Sequence, residues 1–408
     1  MDSSVHLRTA TPADFDAISD LMELVFQETL TESRRAGEQS ITETDRSLVA
    51  EHDDHVVGHA TALTRDLTVP GAIVPAAHVT GVGVAPTHRR RGILTQLMRQ
   101  QLEGLAAAGH EPIAVLWASE SAIYPRFGYG PASSRLGLEI TSREVRLTAP
   151  PATPPSGRLR LIKPPAAADE FAAVYERVRA ERVGFSSRDE KWWKHLLADY
   201  SDGHGEQTGP RGVLYEDERG PAGYAIWRGE SKWNEWGPDG VVVVRELVTD
   251  GPEAYEAIWR FLLGIDLTRT VKFWMAAVDE PVQYLVDDPG RLGRRNVDGL
   301  WIRILDLPAA LEARQYATSL DAVVEVTDPL LPANQGRWRL SGGPDKVTCT
   351  RTDDAPDFAC SITELGAAYL GGTSLAALAA AGRVRRLTGN LPSVAFGWHR
   401  QPNAIEVF

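Results

Sequence analysis

The sequence predicts a mixed α/β protein built from several domains, and three observations support this fold class. The chain has 408 residues, and at roughly 100–200 residues per domain this length favours two to four domains. The first 150 residues alternate between helical and strand periodicity. Charged residues make up 24% and hydrophobic residues 43% of the chain, which excludes a largely disordered or fibrous protein.

The first block begins with a predicted helix over residues 13–29. Thr11 can accept hydrogen bonds from first-turn amides, Pro12 suits the first helical position, and apolar residues then recur every three or four positions. The remaining predicted elements of this block are strands over 56–60, 74–84 and 113–117, and a helix over 92–108 that stops at Gly109.

A proline-rich stretch over residues 150–157 has the composition of a linker and ends the first block. A second α/β block follows from about residue 158 to 289, and a turn at 287–290 separates it from a third block of short strands and an Ala/Leu/Gly-rich helical stretch over 363–381. The predicted domains are therefore 1–150, 151–290 and 291–408.

Composition excludes several classes of protein. Two cysteines, Cys349 and Cys360, cannot form a disulfide framework for a chain of this size, and no spacing typical of a structural zinc site occurs. The N-terminus lacks a cationic start followed by an apolar stretch, which favours a cytoplasmic location, and the longest apolar runs are too short to span a bilayer. A net charge of −12 disfavours nucleic acid and favours a cationic ligand.

The segment from His78 to Leu94 has the pattern of an anion-binding turn. A strand leads through a basic loop, Arg89 to Arg91, to Gly92 and the start of a helix. Amides at a helix N-terminus lack intrahelical partners and favour negative charge, and guanidinium groups beside them can hold a pyrophosphate. By itself an arginine cluster can equally be a solvated patch or a nucleic-acid contact. The position between an apolar strand and an amphipathic helix favours a small phosphorylated ligand.

Two motifs carry a resemblance to a known family. The helix start R-x-x-G-I is similar to the site at which the GNAT superfamily of acetyltransferases binds the pyrophosphate of acetyl-CoA, although Leu94 replaces the usual Gly or Ala. Together, V-A-P-T-H-R-R-R-G at 84–92 and I-Y-P-R-F-G-Y-G-P-A at 123–132 closely resemble the enhanced-intracellular-survival (Eis) family of N-acetyltransferases.

The Eis resemblance covers the whole chain and implies its architecture and chemistry. It implies two tandem GNAT domains and a C-terminal domain similar to sterol carrier protein 2, with the catalytic site in the first domain. It further implies acetyl-CoA as cosubstrate without a metal, Tyr124 as general acid, the α-carboxylate of Phe408 as general base, and a homohexamer. Independently of the resemblance, an apolar end at Phe408 is also consistent with simple docking of a final strand. The residues assigned to acetyl-CoA are Val82, Gly83, Val84, Arg89, Arg90, Arg91, Gly92, Ile93, Leu94, Thr95, Ser119 and Glu120.

The resemblance also implies the acceptor. Members of the family acetylate aminoglycosides, at more than one amine, or lysine side chains of proteins and peptides. Glu28 matches the family's acidic substrate contact, and Glu406 is a second candidate because it lies beside the catalytic chain end. Ser121 and Ala122 replace two glycines of the family, which narrows the expected pocket.

Two other functions remain open at the level of sequence. The third block's resemblance to sterol carrier protein 2 allows a lipid or sterol carrier, although a shared fold does not establish lipid binding. The chain could also be a CoA-binding regulatory protein without turnover. Release of free CoA in the presence of an amine acceptor distinguishes an enzyme from both.

Overall fold

The protein is described by a computed structural model that covers residues 5–148, 157–200, 207–388 and 391–408. Most of the predicted proline-rich linker, residues 150–156, lies outside these ranges. Contacts divide the chain into two compact units. The first contains Met1–Ser133, Gly299–Pro402 and Val407–Phe408, and the second contains Ser134–Asp298 and Asn403–Glu406.

In residues 5–148 the five predicted elements are present in the predicted order, and the structure adds one α-helix and four strands that were not predicted. A capping box between Thr11 and Asp14 and one turn of 3-10 helix lead into the first α-helix, which ends where Gln27 adopts a left-handed φ of 57°. The helices are α1 (Phe15–Phe26), α2 (Glu32–Ile41) and α3 (Ile93–Ala108). The strands are β1 (His6–Thr9), β2 (Ser47–His52), β3 (His55–Val69), β4 (Ala72–Val84), β5 (Ile113–Trp117), β6 (Gly130–Pro131) and β7 (Ser134–Thr141).

Residues 157–298 contain a second set of strands and helices. The strands are β8 (Arg158–Ile162), β9 (Arg211–Asp217), β10 (Gly220–Glu230), β11 (Trp233–Asn234), β12 (Gly237–Pro238), β13 (Gly240–Thr249), β14 (Thr268–Ala277) and β15 (Arg295–Asp298). The helices are α4 (Ala168–Arg179), α5 (Glu190–Leu197), α6 (Pro252–Leu263) and α7 (Val282–Leu285).

In the last part of the chain, the predicted helical stretch over 363–381 is two helices, because Gly371 has a left-handed φ of 84° and Ser374 caps a new start. The helices are α8 (Leu307–Ala313), α9 (Ile362–Ala368), α10 (Leu375–Ala380) and α11 (Ser393–Phe396). The strands are β16 (Leu300–Ile304), β17 (Leu320–Thr327), β18 (Gly336–Gly342), β19 (Val347–Arg351), β20 (Phe358–Ser361) and β21 (Arg385–Arg386).

The first unit contains two sheets. One has the strand order β1-β2-β3-β4-β5-β16-β6, in which β4 and β5 are parallel and the other neighbours are antiparallel. The other has the order β19-β18-β17-β20-β21. Cys349 and Cys360 lie buried in the latter as free thiols.

The second unit repeats the plan of the first seven-stranded sheet. Its order is β15-β7-β14-β13-β10-β9-β8, and β13 and β14 form its parallel pair. Each large sheet takes a strand from beyond the predicted boundaries. Strand β7 lies within the predicted first domain, 1–150, but pairs with β14 of the second unit. Strand β16 lies within the predicted third domain, 291–408, but pairs with β5. Periodicity predicts that a segment is a strand, whereas its pairing partner depends on long-range contacts.

Candidate active site

Strand β4 parts from its parallel neighbour β5 half-way along its length. Three residue pairs join the two strands, and the last is His78 with Val115. Strand β4 continues to Val84 while it stays paired with β3 on its other edge. Among the described strands, none pairs with the β5-facing edge of residues 79–84. Such an edge presents main-chain N–H and C=O groups to which an extended polar ligand can bind.

A β-bulge at Gly81 interrupts the pairing of β4 with β3 along this open stretch. The register places two residues of β4, Gly81 and Val82, opposite the single residue Ala60 of β3. Gly81 has a left-handed φ of +58°, and a Cβ there would lie 3.0 Å from the imidazole of His59. The bulge therefore requires glycine at this position.

The amides of Val82 and Val84 point toward the open edge. The N–H of Ala85 donates a 2.8 Å hydrogen bond to a carbonyl of β3. Because successive amides along a strand point to opposite edges, the N–H groups of Val84 and Val82 point toward β5. Gly83, predicted with them as a coenzyme contact, directs its amide toward β3 instead. A Cβ on Gly83 would lie 2.8 Å from Met22 of α1, so its missing side chain allows α1 to pack on the strand.

Three arginines form the turn between β4 and α3. Arg89, Arg90 and Arg91 are exposed, and none forms an ion pair with a carboxylate in the described part of the chain. Arg90 has a left-handed φ of 61°, which residues other than glycine rarely adopt and which is common where a ligand is held. Burial, and then the neighbouring His52 and Arg91, lower the pKa of His88, and the carboxylate of Asp53 opposes this shift.

The start of α3 supplies backbone donors beside these arginines. Gly92 is the N-cap, has a left-handed φ of 82°, and has no side chain that could accept from the first-turn amides. The N–H groups of Ile93, Leu94 and Thr95 therefore remain available to an anion, and the helix dipole favours negative charge there. The bulky Leu94 does not block this role, because it packs on the core side of α3.

Tyr124 begins a turn of 3-10 helix, Tyr124–Phe127, in the loop after β5. Its side chain is 5% exposed and packs in one cluster with Val79 of β4 and Met98 of α3. Burial raises the pKa of the Tyr124 phenol above its ordinary value, and a hydrogen bond with Ser119 opposes this effect. The phenol therefore holds its proton at neutral pH and can act as a proton donor.

The loop between β5 and Tyr124 contains the other two residues predicted to contact the coenzyme. Ser119 and Glu120 are both exposed, and the Glu120 carbonyl accepts a 3.1 Å hydrogen bond from the Ile123 amide. The negative charge of Glu120 adds to the effect of burial on the pKa of Tyr124. Both residues thus act on the phenol, and their contact with a coenzyme stays a prediction.

The last residue of the chain lies against β4. The hydroxyl of Thr80 donates a 2.8 Å hydrogen bond to the terminal oxygen of Phe408. The rings of Phe408 and His78 meet edge to face, with their centroids 4.6 Å apart. Residue 408 is therefore docked in the first unit by both its main-chain oxygen and its side chain.

Phe408 and the side-chain cluster that contains Tyr124 lie on opposite faces of β4. Alternate residues of a strand face opposite sides, so His78 and Thr80, which contact Phe408, share one face. Val79, which packs in the cluster of Tyr124, faces the other. Strand β5 departs from β4 at this level, because His78 is the last residue of β4 that pairs with it.

Glu406 does not occupy the predicted substrate position. Its buried carboxylate accepts hydrogen bonds from Arg188 Nε at 2.7 Å and from Trp192 Nε1 at 3.2 Å. The same guanidinium forms a bidentate pair with Glu246, at 2.9 and 2.7 Å. This pairing corrects the prediction that Glu406 contacts a cationic substrate, because its buried carboxylate is already bound by Arg188 and Trp192 inside the second unit.

Glu28, the other predicted substrate contact, follows α1 with its side chain 52% exposed. Its carboxylate lies 3.4 Å from Arg34 of α2. An exposed pair of this kind is weak, so a cationic group can displace Arg34. The role of Glu28 in binding an acceptor stays a prediction.

Sequence reasoning missed three polar residues of the site. His78 and Thr80 contact the chain end, and His59 contacts the bulge through a 2.7 Å hydrogen bond between its Nδ1 and the Gly81 carbonyl. The available signal was the presence of polar side chains in otherwise apolar strands. Their partners are far away in sequence, so the signal did not indicate what they contact.

Comparison with known protein families assigns each part of the chain. A family model described as an acetyltransferase (GNAT) domain matches residues 6–132, and a second GNAT model matches residues 184–304. A sterol carrier protein domain model matches residues 307–402. These matches confirm the predicted fold class of two tandem GNAT domains followed by a sterol-carrier-like domain.

Comparison with curated proteins decides the family. The N-acetyltransferase Eis of Mycobacterium tuberculosis is 37% identical over 341 residues, which cover 81% of this chain and 79% of that protein. The chain belongs to the Eis family of N-acetyltransferases. An uncharacterized N-acetyltransferase of Streptomyces avermitilis is 44% identical over 350 residues, which cover 86% of this chain and 85% of that relative.

A solved Eis structure has the same fold over nearly the whole chain. The crystal structure of Eis1 from Mycobacterium abscessus matches with a TM-score of 0.85 and 33% identity, covering 99% of this chain and 100% of that one. Membership of the Eis family makes the protein an N-acetyltransferase. This enzyme class agrees with the open edge of β4 and the arginine turn that follows it.

No helix in the described ranges is long and apolar enough to cross a membrane. Within the same ranges, no group of three or more His, Cys, Asp and Glu side chains is placed to hold a metal ion.

Proposed function

We propose that this Eis-family enzyme transfers the acetyl group of acetyl-CoA directly to primary amines of cationic acceptors. The observation that carries the proposal is the hydrogen bond from Thr80 to the terminal carboxylate of Phe408. It docks a carboxylate on the same strand whose open edge and following turn are built to hold an extended, phosphorylated ligand.

The donor site is formed by β4 and the turn that follows it. Acetyl-CoA has an extended amide-containing arm, and the outward amides of Val82 and Val84 suit such an arm. Its pyrophosphate suits the Arg89–Arg91 turn and the free amides at the start of α3. The residues present therefore suit this cosubstrate by their backbone amides and their positive charge.

The chemistry requires one base and one acid. A neutral amine nitrogen attacks the thioester carbon, so that a C–N bond forms and the C–S bond breaks. The Phe408 carboxylate takes the proton that the nitrogen loses, and Tyr124 gives its proton to the departing thiolate. The Val82 amide donates a hydrogen bond to the carbonyl oxygen as negative charge develops on it.

The acceptor is proposed to be a polycation, either an aminoglycoside or a lysine side chain. The net charge of −12 attracts such molecules, and the exposed carboxylate of Glu28 can pair with one of their ammonium groups. Assembly as a homohexamer belongs to the same proposal and rests on the family resemblance.

The second GNAT domain is proposed to bind no coenzyme. The helix that follows its parallel strand, α6, starts at Gly251 and Pro252 between two acids, Asp250 and Glu253. Acidic side chains at a helix start repel a pyrophosphate, and arginines equivalent to Arg89–Arg91 are absent from residues 249–254. Each chain is therefore proposed to have one acetyl-CoA site.

The test measures CoA release from acetyl-CoA with kanamycin, and the mass of the acetylated product. The wild-type protein is expected to release CoA and to yield acetylated kanamycin. Tyr124→Phe and a chain extended by one glycine after Phe408 are expected to lose at least about tenfold in kcat, because each removes or moves a proton-transfer group.

Tyr284→Phe is the matched control, since Tyr284 is 80% exposed in the second unit and should keep the wild-type rate. Normal turnover in both site variants would reject the assigned acid and base. No thiol release by the wild-type protein with any amine tested would reject the enzyme and favour a carrier or a CoA-binding regulatory protein.

A further inference from the structure

His59 of β3 is the one polar side chain described as contacting the β-bulge at the open edge. Its Nδ1 lies 2.7 Å from the carbonyl oxygen of Gly81, which falls outside the regular pairing of β3 with β4. A carbonyl oxygen only accepts hydrogen bonds, so Nδ1 must carry the proton. The imidazole therefore donates the hydrogen bond that the pairing of β3 with β4 does not provide to the Gly81 carbonyl.

The environment keeps His59 in this state. The residue is 3% exposed, and burial lowers its pKa to about 4. The other ring nitrogen, Nε2, is buried without a hydrogen-bond partner in the described residues. A neutral ring with its single proton on Nδ1 follows, and this tautomer is maintained by the Gly81 carbonyl.

The hydrogen bond determines where the next amide points. In a planar trans peptide the C=O of one residue and the N–H of the next point in opposite directions. When the Gly81 carbonyl is held against His59 on the β3 side, the Val82 N–H is turned away, toward the gap left by β5. This is the amide that the proposed function places on the thioester oxygen.

We infer that His59 is a positioning residue for acyl transfer, because its Nδ1–H holds the Gly81–Val82 peptide so that the Val82 amide faces the thioester carbonyl. The inference rests on the proposed function, since it assigns a second residue to that reaction. It concerns stabilisation of the developing oxyanion rather than proton transfer, and His59 touches no reacting atom.

A matched pair of variants tests this role. Asn places an amide nitrogen close to the position of Nδ1 and can still donate, whereas Leu has the same branching without a donor. His59→Leu is expected to lower kcat by about 10- to 100-fold with KM for acetyl-CoA changed less than about threefold, because donors of an oxyanion site act mainly in the transition state. His59→Asn is expected to remain within about threefold of wild type.

A spectroscopic readout separates positioning from folding. The carbonyl stretch of bound [1-¹³C]acetyl-CoA is measured by infrared difference spectroscopy without any acceptor. A hydrogen bond from the Val82 amide lowers this frequency, so wild type and His59→Asn should share a shifted band that is lost in His59→Leu. His55→Leu, an exposed histidine of the same strand, is the control and should resemble wild type.

Each of the following results would overturn the inference. Equal kcat and equal bands in wild type and His59→Leu would overturn the inference and leave the acetyltransferase proposal intact. Parallel losses in the Leu and Asn variants would show that only the shape of the ring matters, and would also overturn it. If the wild-type protein neither binds nor cleaves acetyl-CoA, the proposed function fails, and the inference fails with it.

Discussion

The Thr80 hydroxyl donates a 2.8 Å hydrogen bond to the terminal oxygen of Phe408, 328 residues further along the chain. The two ends of this contact meet only when the sterol-carrier-like region is also folded, because the last strands and helices precede Phe408 in sequence. In the proposed mechanism, the contact gives that region a role in the active site without any lipid. It also explains why the first GNAT domain alone should lack the proposed base.

Replacement of Thr80 by Val removes this donor with little change in side-chain shape. We expect kcat to fall by about tenfold, because a hydrogen bond to a charged group contributes about 1.5–3 kcal/mol and its loss releases the carboxylate from its position. The measurement is steady-state CoA release at saturating acetyl-CoA and acceptor. Thr80→Ser retains the hydroxyl and should keep most of the activity, so equal losses in Ser and Val would argue against the hydrogen bond.

The parts of the site that the sequence predicts are local ones. The turn from Arg89 to Thr95 depends on a strand, a glycine and a helix start that follow one another within a few residues. The same holds for Tyr124, whose motif lies directly after an apolar strand. In such segments the spacing of residue types already specifies backbone direction and free amides.

The parts that the sequence did not predict depend on long-range pairing. Strands β7 and β16 were not predicted as strands, and the sheets that they join depend on partners far away in sequence. Glu406 looked like a substrate contact because of its place near the chain end, and only the structure shows Arg188 beside it. The role of His59 was missed for the same reason, because its partner Gly81 lies 22 residues away, in the bulge of the next strand.

The arginine turn should control donor affinity rather than the chemical step. We expect Arg90→Ala to raise KM for acetyl-CoA by about tenfold with kcat nearly unchanged, because it removes a charge that pairs with phosphate equally in ground and transition states. The effect should shrink at high salt, since exposed charges are screened. Arg99→Ala on the exposed side of α3 is the control, and an equal KM change there would indicate a general charge effect.

His59 should also make the first unit sensitive to acid. Burial lowers its pKa to about 4 in the folded state, against about 6.5 in the unfolded chain, so the unfolded state binds the proton more tightly. The stabilisation is therefore complete above about pH 6.5 and is lost as the pH falls toward 4, with a loss of about 2 kcal/mol at about pH 5.

Thermal unfolding at about pH 7 and about pH 5 measures this effect. The wild-type protein should lose more stability between the two values than His59→Asn, whose side chain does not titrate in this range. Identical losses in both proteins would show that His59 is not the group that binds the proton. The comparison uses the change with pH, so an overall stability difference between the proteins does not affect it.

Arg188 should be a principal determinant of stability in the second unit. Its fully buried guanidinium lies between the carboxylates of Glu246 and Glu406, so Arg188→Met leaves two buried negative charges without a partner. Loss of one member of a buried ion pair costs about 3–5 kcal/mol of unfolding free energy, which urea titration can measure. The control is Arg219→Met, which removes an exposed arginine paired with Asp217 in the same unit and should leave the unfolding midpoint unchanged. If the two variants unfold at the same urea concentration, the buried cluster of Arg188, Glu246 and Glu406 contributes no more to stability than a surface ion pair.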